Sequence, residues 1–233
     1  MRKNQFNQLI GEEVSHFSAG EMPSLQYVEG KYCYLERLNS SRHFDDLWRV
    51  YGTDSELKNW TYLPAFFGPF GDKNTFSEFL KQQEQASDPY LLVIMDKQTQ
   101  RAIGTFSLMR IDPANRVIEV GAVIYSSQLQ RSRIATEAQY LLACYVFEEL
   151  KYRRYEWKCD SLNERSRRAA ERLGFTFEGI FRQAQVYHHR NRDTAWYSML
   201  DSEWKTIKKR FEAWLSPDNF DEQGEQKQRL QDI

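Results

Sequence analysis

The sequence predicts an α+β fold, a mostly antiparallel twisted sheet with one parallel strand pair and helices on both faces, and three observations carry the prediction. Short runs rich in β-branched and aromatic residues recur at 91–96, 102–111 and 116–125 with only turn-sized connections between them. A long helical pattern separates two strand-like runs at 134–150, and a crossover of that length joins parallel neighbours. The chain has 233 residues and 41% hydrophobic content, which suits one globular domain with a sizeable core.

Residues 1–29 are polar and weakly periodic, an extension that packs loosely or covers a sheet edge. Residues 31–38 alternate as a first strand, and Phe44, Leu47, Trp48 and Tyr51 then form a helical stripe. An aromatic connection at 59–70 leads to a helix at 75–86, with Asn74 or Asp72 near its start and Pro89 beyond its end. The strands 91–96, 102–111 and 116–125 follow, and the DPAN turn at 112–115 has the residue chemistry of a hairpin connection. In the helix 134–150, Ile134, Ala138, Leu141, Leu142 and Tyr145 share one face. A strand at 155–159 runs into a short helix opened by Asn163, with Ala169, Ala170 and Leu173 inward and Gly174 as its stop signal. Residues 175–187 and 194–201 read as a closing antiparallel pair with HHRNRD between them. The last helix, 203–215, carries Trp204, Ile207, Phe211 and Trp214 as its apolar stripe, and the polar segment after Pro217 reads as frayed. The domain therefore spans 30–215, with an extension at 1–29 and a polar tail at 216–233.

Charge and cysteine content exclude several functions. The 32 basic and 33 acidic residues nearly cancel, so no general attraction to nucleic acid or an anionic membrane is expected. No apolar stretch approaches about 18 residues, which leaves membrane spanning without support. Cys33, Cys144 and Cys159 are odd in number and show no C-x-x-C spacing, which argues against a disulfide framework or structural zinc and points to the cytoplasm. No cluster of acidic or histidine residues stands at metal-ligand spacing, so no metal is expected.

Positive charge is local, concentrated between Arg131 and Arg172. Gln130, Arg131, Ser132, Arg133, Ile134, Ala135 and Thr136 turn a strand end into a helix start. The free N–H groups and dipole of a helix start favour a diphosphate. A second strand-to-helix turn, at Asn163 and Ser166, follows at the same sheet end, where ligands of crossover sheets gather. The Q-R-S-R-I-A turn at 130–135, the N-x-x-S of Asn163 and Ser166, the A-x-x-x-L-G-F-x-x-E-G run at 169–179 and the NRDTAWYSML segment at 191–200 together resemble the GNAT superfamily of acyl-CoA N-acyltransferases. Within it they are similar to the branch of RimJ/RimL-like ribosomal-protein N-terminal acetyltransferases, and the likeness runs from Gly30 to Leu215. One departure stands in the turn, where Arg133 occupies the family's first glycine position. A side chain there crowds close backbone approach, although a guanidinium can pair with phosphate oxygens.

The resemblance implies a GNAT-like fold whose parallel strands splay, with acetyl-CoA as cosubstrate and direct transfer to a primary amine. The acceptor is either the α-amine of a protein N-terminus or a small-molecule amine, and the protein acts as monomer or homodimer. The turn residues 130–136 would hold the coenzyme's phosphates, Asn163 would contact its pantetheine arm or simply cap the helix, and Ser166 would stand near the sulfur. A backbone N–H near Val123 or Ile124 would hold the oxyanion. Glu119, expected partly buried with a raised pKa, is the candidate base, since Gln185 occupies the place where some relatives carry a carboxylate. Cys159 lies close to the expected leaving thiol or is a small buried hydrophobe, and His188 and His189 sit in the basic loop. Trp60, Tyr62, Phe66 and Phe70 cover the acceptor or plug the gap between helices and sheet; Gln185 is grouped with them as acceptor-side. The alternative is a binding module that keeps acyl-CoA as a regulatory ligand without transferring it.

Overall fold

The computed structural model describes residues 2–53 and 55–233. A small hairpin, β1 (Arg2–Lys3) with β2 (Leu9–Ile10), stands apart from the main sheet. The main sheet comprises β3 (Tyr27–Glu29), β4 (Cys33–Arg37), β5 (Tyr90–Asp96), β6 (Arg101–Asp112), β7 (Val117–Tyr125), β8 (Arg154–Asp160), β9 (Thr176–Tyr187) and β10 (Arg190–Leu200). Their order across the sheet is β3-β4-β5-β6-β7-β8-β10-β9, and every neighbouring pair is antiparallel except β7 with β8. The end of the extension thus supplies an edge strand, with Tyr27 opposite Glu36.

Alternation along the strands builds two cores. On one face Leu92, Ile94, Ile118, Val120, Tyr155 and Trp157 pack against α3 (Arg133–Cys144) and α5 (Asp201–Leu215) through residues such as Ala138, Leu142, Trp204 and Phe211. The other face, at the β4–β5–β6 end, packs Tyr34, Leu91, Val93 and Met95 against α1 (Phe44–Tyr51) and α2 (Lys73–Gln85). Of the two caps expected for the second helix the structure uses Asp72, whose carboxylate accepts the amides of Asn74 and Thr75. After Cys144 the crossover helix widens into one π turn, Tyr145–Glu149. Among the described residues no helix is long and apolar enough to cross a membrane.

Two expectations about irregular segments change. The HHRNRD connection contracts to His188 and His189, because both residues adopt positive φ (47° and 57°) and a two-residue turn of that kind matches the strand twist. The segment after Pro217 is not frayed: Leu230 is 1% exposed, the Asn219 side chain bonds the main chain of Trp214 and Gln228, and Phe220 packs on the core. A few well-placed apolar side chains outweigh the polar composition that suggested disorder.

The crossover helix is pinned to the first strands by Glu137, buried at 4% exposure. Its carboxylate accepts the backbone N–H groups of Lys31, Tyr32 and Cys33 at 2.7–2.8 Å, closing the turn between β3 and β4. Glu137→Ala strands three donors at once, and chemical denaturation should show a loss of about 3 kcal/mol or more, whereas an exposed glutamate would cost a few tenths.

Candidate active site

The parallel pair β7–β8 is joined only at its beginning. Register runs from Val117 opposite Arg154 to Val120 opposite Trp157, and both strands then continue, to Tyr125 and Asp160, without pairing each other. A β-bulge on the other side of β7 helps to part them: Gly121 faces Ser107 and Ile124 faces Thr105, so Ala122 and Val123 oppose one residue of β6. Ala122 takes φ 47° to do so. The outcome is a V-shaped opening at the carboxyl ends of the two strands, with Val123 and Ile124 on one wall and Cys159 and Asp160 on the other.

At the mouth of the V, Arg131 turns the chain at φ 59° and Ser132 caps α3. The Ser132 hydroxyl accepts the Ala135 amide at 3.0 Å and donates to the Leu129 carbonyl at 2.7 Å. This leaves the Arg133 and Ile134 amides at the open end of the helix. Gln130 lies beside them with its amide nitrogen on the Tyr125 carbonyl, and buried Thr136 accepts from Arg172 at 3.1 Å. The Arg133 guanidinium does not point to this mouth as a phosphate fork: it donates to the Tyr32 hydroxyl at 3.0 Å and stacks 3.4 Å from the Phe220 ring. Stacking on an aromatic face satisfies a guanidinium without an anion.

The second turn belongs to α4 (Glu164–Leu173). Asn163 is its N-cap, accepting the Ser166 amide at 3.2 Å, and Gly174 ends it in the left-handed conformation. The Ser166 hydroxyl accepts from Trp157 Nε1 at 2.9 Å, and Cys159 lies buried on the same face of β8 as Trp157. Burial pushes the Cys159 thiol up, with Ser166 opposing the shift, as for a packed small side chain.

On the opposite face, buried charges cross the strands in alternating sign. Arg110 Nη1 lies 2.6 Å from Glu119, Lys158 Nζ lies 2.9 Å from Glu119 and 2.7 Å from Glu156, and Arg154 joins Glu156 (2.7 Å) to Glu178. Glu119 is 2% exposed. Burial raises its pKa above the ordinary glutamate value, with Arg110 and Lys158 pulling back without cancelling the shift.

The aromatic connection separates into different roles. Trp60 is 5% exposed against Tyr51, and Phe70 packs on Tyr51, Phe76 and Phe79, so both plug the space between α1, α2 and the sheet instead of covering an acceptor. Phe66 is exposed beside Phe67. Tyr62 alone reaches the V, donating to the Leu162 carbonyl at 3.2 Å. Beside it the Thr61 carbonyl accepts from Arg190 and the Leu63 carbonyl meets His188 Nε2 at 2.8 Å, so the connection and the tip of the β9–β10 hairpin form a bridge. His189 and Gln185 are exposed, and Gln185, on edge strand β9 opposite Arg192, is not gathered with these residues.

Three groups stand here that the sequence did not single out. Asp160, at 4% exposure, accepts the Leu162 amide at 2.9 Å and the Tyr187 hydroxyl at 2.6 Å. Thr194 lies directly opposite it on β10. The only signal was alternation: in YEWKCD the polar Glu156, Lys158 and Asp160 alternate with Tyr155, Trp157 and Cys159, a pattern that reads equally well as a solvent face. Among the described residues no group of three or more His, Cys, Asp and Glu is placed to hold a metal ion.

Lys158 holds two buried carboxylates apart at side-chain exposures of 3–9%. Lys158→Met should lower unfolding stability by about 1–3 kcal/mol, and adding Glu119→Gln should recover part of that loss, because without Lys158 only the half-exposed Arg110 is left to balance the buried Glu119 carboxylate.

An "Acetyltransferase (GNAT) domain" family model matches residues 34–176. A crystal structure of a GCN5-related N-acetyltransferase from Brucella melitensis is 45% identical, covers 94% of this chain and 98% of its own, and superposes with a TM-score of 0.89. YdaF of Bacillus subtilis, named among ribosomal N-acetyltransferases, is 35% identical over 102 residues, 44% of this chain and 55% of that protein. The ribosomal-protein-serine acetyltransferase of Escherichia coli is 30% identical over 115 residues, 49% of this chain and 64% of that protein. The matched part thus spans roughly half to two thirds of these curated relatives. The parted parallel strands, the capped helix start beyond them and the family match over more than half of its length lead to one assignment: this chain belongs to the GNAT acetyltransferase family.

Proposed function

We propose that this protein is an acetyl-CoA-dependent N-acetyltransferase that acetylates a primary amine by direct attack. The observation that carries the proposal is the unpaired stretch of β7 and β8 beyond Val120 and Trp157. Strand edges without a partner accept an extended amide-bearing arm as an added strand would be accepted. Acetyl-CoA supplies that arm and the thioester. Its phosphates are assigned to the Arg133 and Ile134 amides with Gln130, Arg131 and Ser132 around them, and not to the Arg133 guanidinium, which Tyr32 and Phe220 occupy.

In this reading a backbone N–H at Val123 or Ile124 stabilises the tetrahedral oxyanion. Ser166, fixed by the Asn163 cap and by Trp157, stands near the leaving sulfur; Asn163 keeps its side-chain amide free for the pantetheine arm. Glu119 takes the amine proton directly or through water, because burial raises its basicity toward working pH. As the amine attacks, the carbon–nitrogen bond forms, the carbon–sulfur bond breaks and coenzyme A leaves as the thiolate.

Two observations bear on the acceptor. The relatives named for ribosomal-protein acetylation favour a protein acceptor. The bridge between residues 61–63 and the β9–β10 hairpin closes one side of the V and favours an amine that enters end-on, as an N-terminus or a small molecule does. The free thiols and the balanced charge suit the cytoplasm.

A thiol-release assay with acetyl-CoA against peptides beginning in Ala, Ser or Met, and against small amines, should give turnover with at least one acceptor. Glu119→Gln should keep coenzyme binding and lose about 10²–10⁴-fold in kcat. Because the Glu119 carboxyl is raised and must be ionised to act, kcat/KM should fall with decreasing pH through a value above the ordinary glutamate range. Acetyl-CoA binding without thiol release across the panel would make the protein a regulatory module. Arg133→Ala should change coenzyme affinity by less than about 3-fold while lowering Tm; a loss of more than tenfold would return the guanidinium to the phosphates.

A further inference from the structure

Asp160 is the first side chain past Cys159 on the wall of the V, and three properties set it apart. The first is its level. The last paired residues are Val120 and Trp157, so Val123 and Asp160 lie the same three residues beyond the point of parting. Strand alternation places Asp160 with Glu156 and Lys158 on the face that carries Glu119, away from α4.

The second is its charge. Glu119 and Glu156, the other buried carboxylates of that face, each have a cation within 3 Å. Asp160 has none within ion-pair distance among the described residues, although it is as deeply buried. A buried carboxylate without a cation is costly. Two other buried carboxylates also lack one, but backbone donors surround Glu137, and Asp96 closes the tight turn to Gln98 and Thr99; neither stands at the V. Of the about four lone-pair directions of a carboxylate, Leu162 and Tyr187 use two at Asp160.

The third is its surroundings. Thr194 faces Asp160 across the β8–β10 pair, at 4% exposure, and its hydroxyl has no hydrogen-bond partner among the described residues. Two residues along the same face of β10, the Trp196 indole N–H is also buried without a partner. Buried polar atoms left open in a folded protein call for a ligand or water.

We infer that Asp160, Thr194 and Trp196 form the acceptor's subsite, and that its ligand is an α-aminoacyl group, an ammonium next to a carbonyl. The inference rests on the acetyl-transfer reading above and names its substrate class. Asp160 and the Thr194 oxygen accept from the ammonium, while the Trp196 N–H donates to the neighbouring carbonyl. Tyr187, held over Asp160 by the hairpin that the Thr61–Leu63 carbonyls brace, closes the far side. The subsite binds and orients the amine at the level of Val123, four residues or about 13 Å of strand beyond Glu119, so of the two proton routes above only the one through water reaches Glu119; no bond is made or broken on the subsite's residues.

Calorimetry on the coenzyme A-loaded protein tests this without turnover, using a tetrapeptide with an N-terminal serine, its N-acetylated form and spermidine as probes. The free peptide should bind at least tenfold more tightly than the acetylated one, and Asp160→Asn should erase that difference. Thr194→Val, which removes no native hydrogen bond, should leave Tm unchanged and weaken the free peptide several-fold. Trp196→Phe should weaken the peptide but not spermidine. Equal binding of the free and acetylated peptides, no binding of either free amine, or wild-type affinity in both Asp160→Asn and Thr194→Val would overturn the subsite. Peptide binding through Asp160 with no thiol release in the acetyl-CoA assay would instead overturn the transfer reading and leave the subsite standing.

Discussion

The loss of pairing between β7 and β8 is the constraint on which the rest of the structure depends. Two parallel strands in a sheet normally satisfy each other's backbone groups along their whole length. Here the bulge at Ala122 and Val123 redirects β7 just past the last pair, and the strands diverge with edges unpaired to each other. The crossover helix begins where β7 ends, so its free amides fall at the same opening. A cleft and a helix start that opens onto it therefore follow from one local irregularity.

Divergence alone would leave the walls weak, and the charge ladder on the acceptor face compensates. Arg110, Glu119, Lys158, Glu156, Arg154 and Glu178 alternate in sign across the sheet, so each buried carboxylate of the ladder meets at least one cation. Pairs of this kind add little net stability compared with apolar packing, but they fix register and keep a polar face dry without an apolar cover. They also hold Glu119 in a setting where burial outweighs attraction and raises its pKa above the ordinary glutamate value. Helices α1 and α2 cover the other end of that face, which is why Trp60 and Phe70 belong to their core and not to the site.

Much of this was legible in the residues. Alternation and helical spacing identified the strands and α-helices from β4 to α5, though not the edge strand β3 or the short helical turns at 57–60 and 65–67, and Asn163, Gly174 and Asp72 marked helix ends by their capping chemistry. What could not be read were relations between distant segments. Glu137 looks like one more polar residue on a helix until the turn at 31–33 closes on it, and Asp160 looks solvent-facing until Tyr187 arrives from the hairpin. Polar composition made the segment after Pro217 look disordered, yet Leu230 and Asn219 hold it in place. Aromatic residues in the 59–70 connection gave no hint of which would turn inward, because burial there is decided by the helices on either side.

Arg133 shows how far such relations extend. Where a glycine would have left the helix start bare, its guanidinium sits between Tyr32, from the turn before β4, and Phe220, from the segment that follows α5. Pieces of chain roughly a hundred residues away on either side thus lean on the first turn of α3. Nicking the chain near Phe220, or burdening that stretch with a bulky appendage, would be felt as a first turn of α3 held less firmly, even though that stretch lies far along the chain from it.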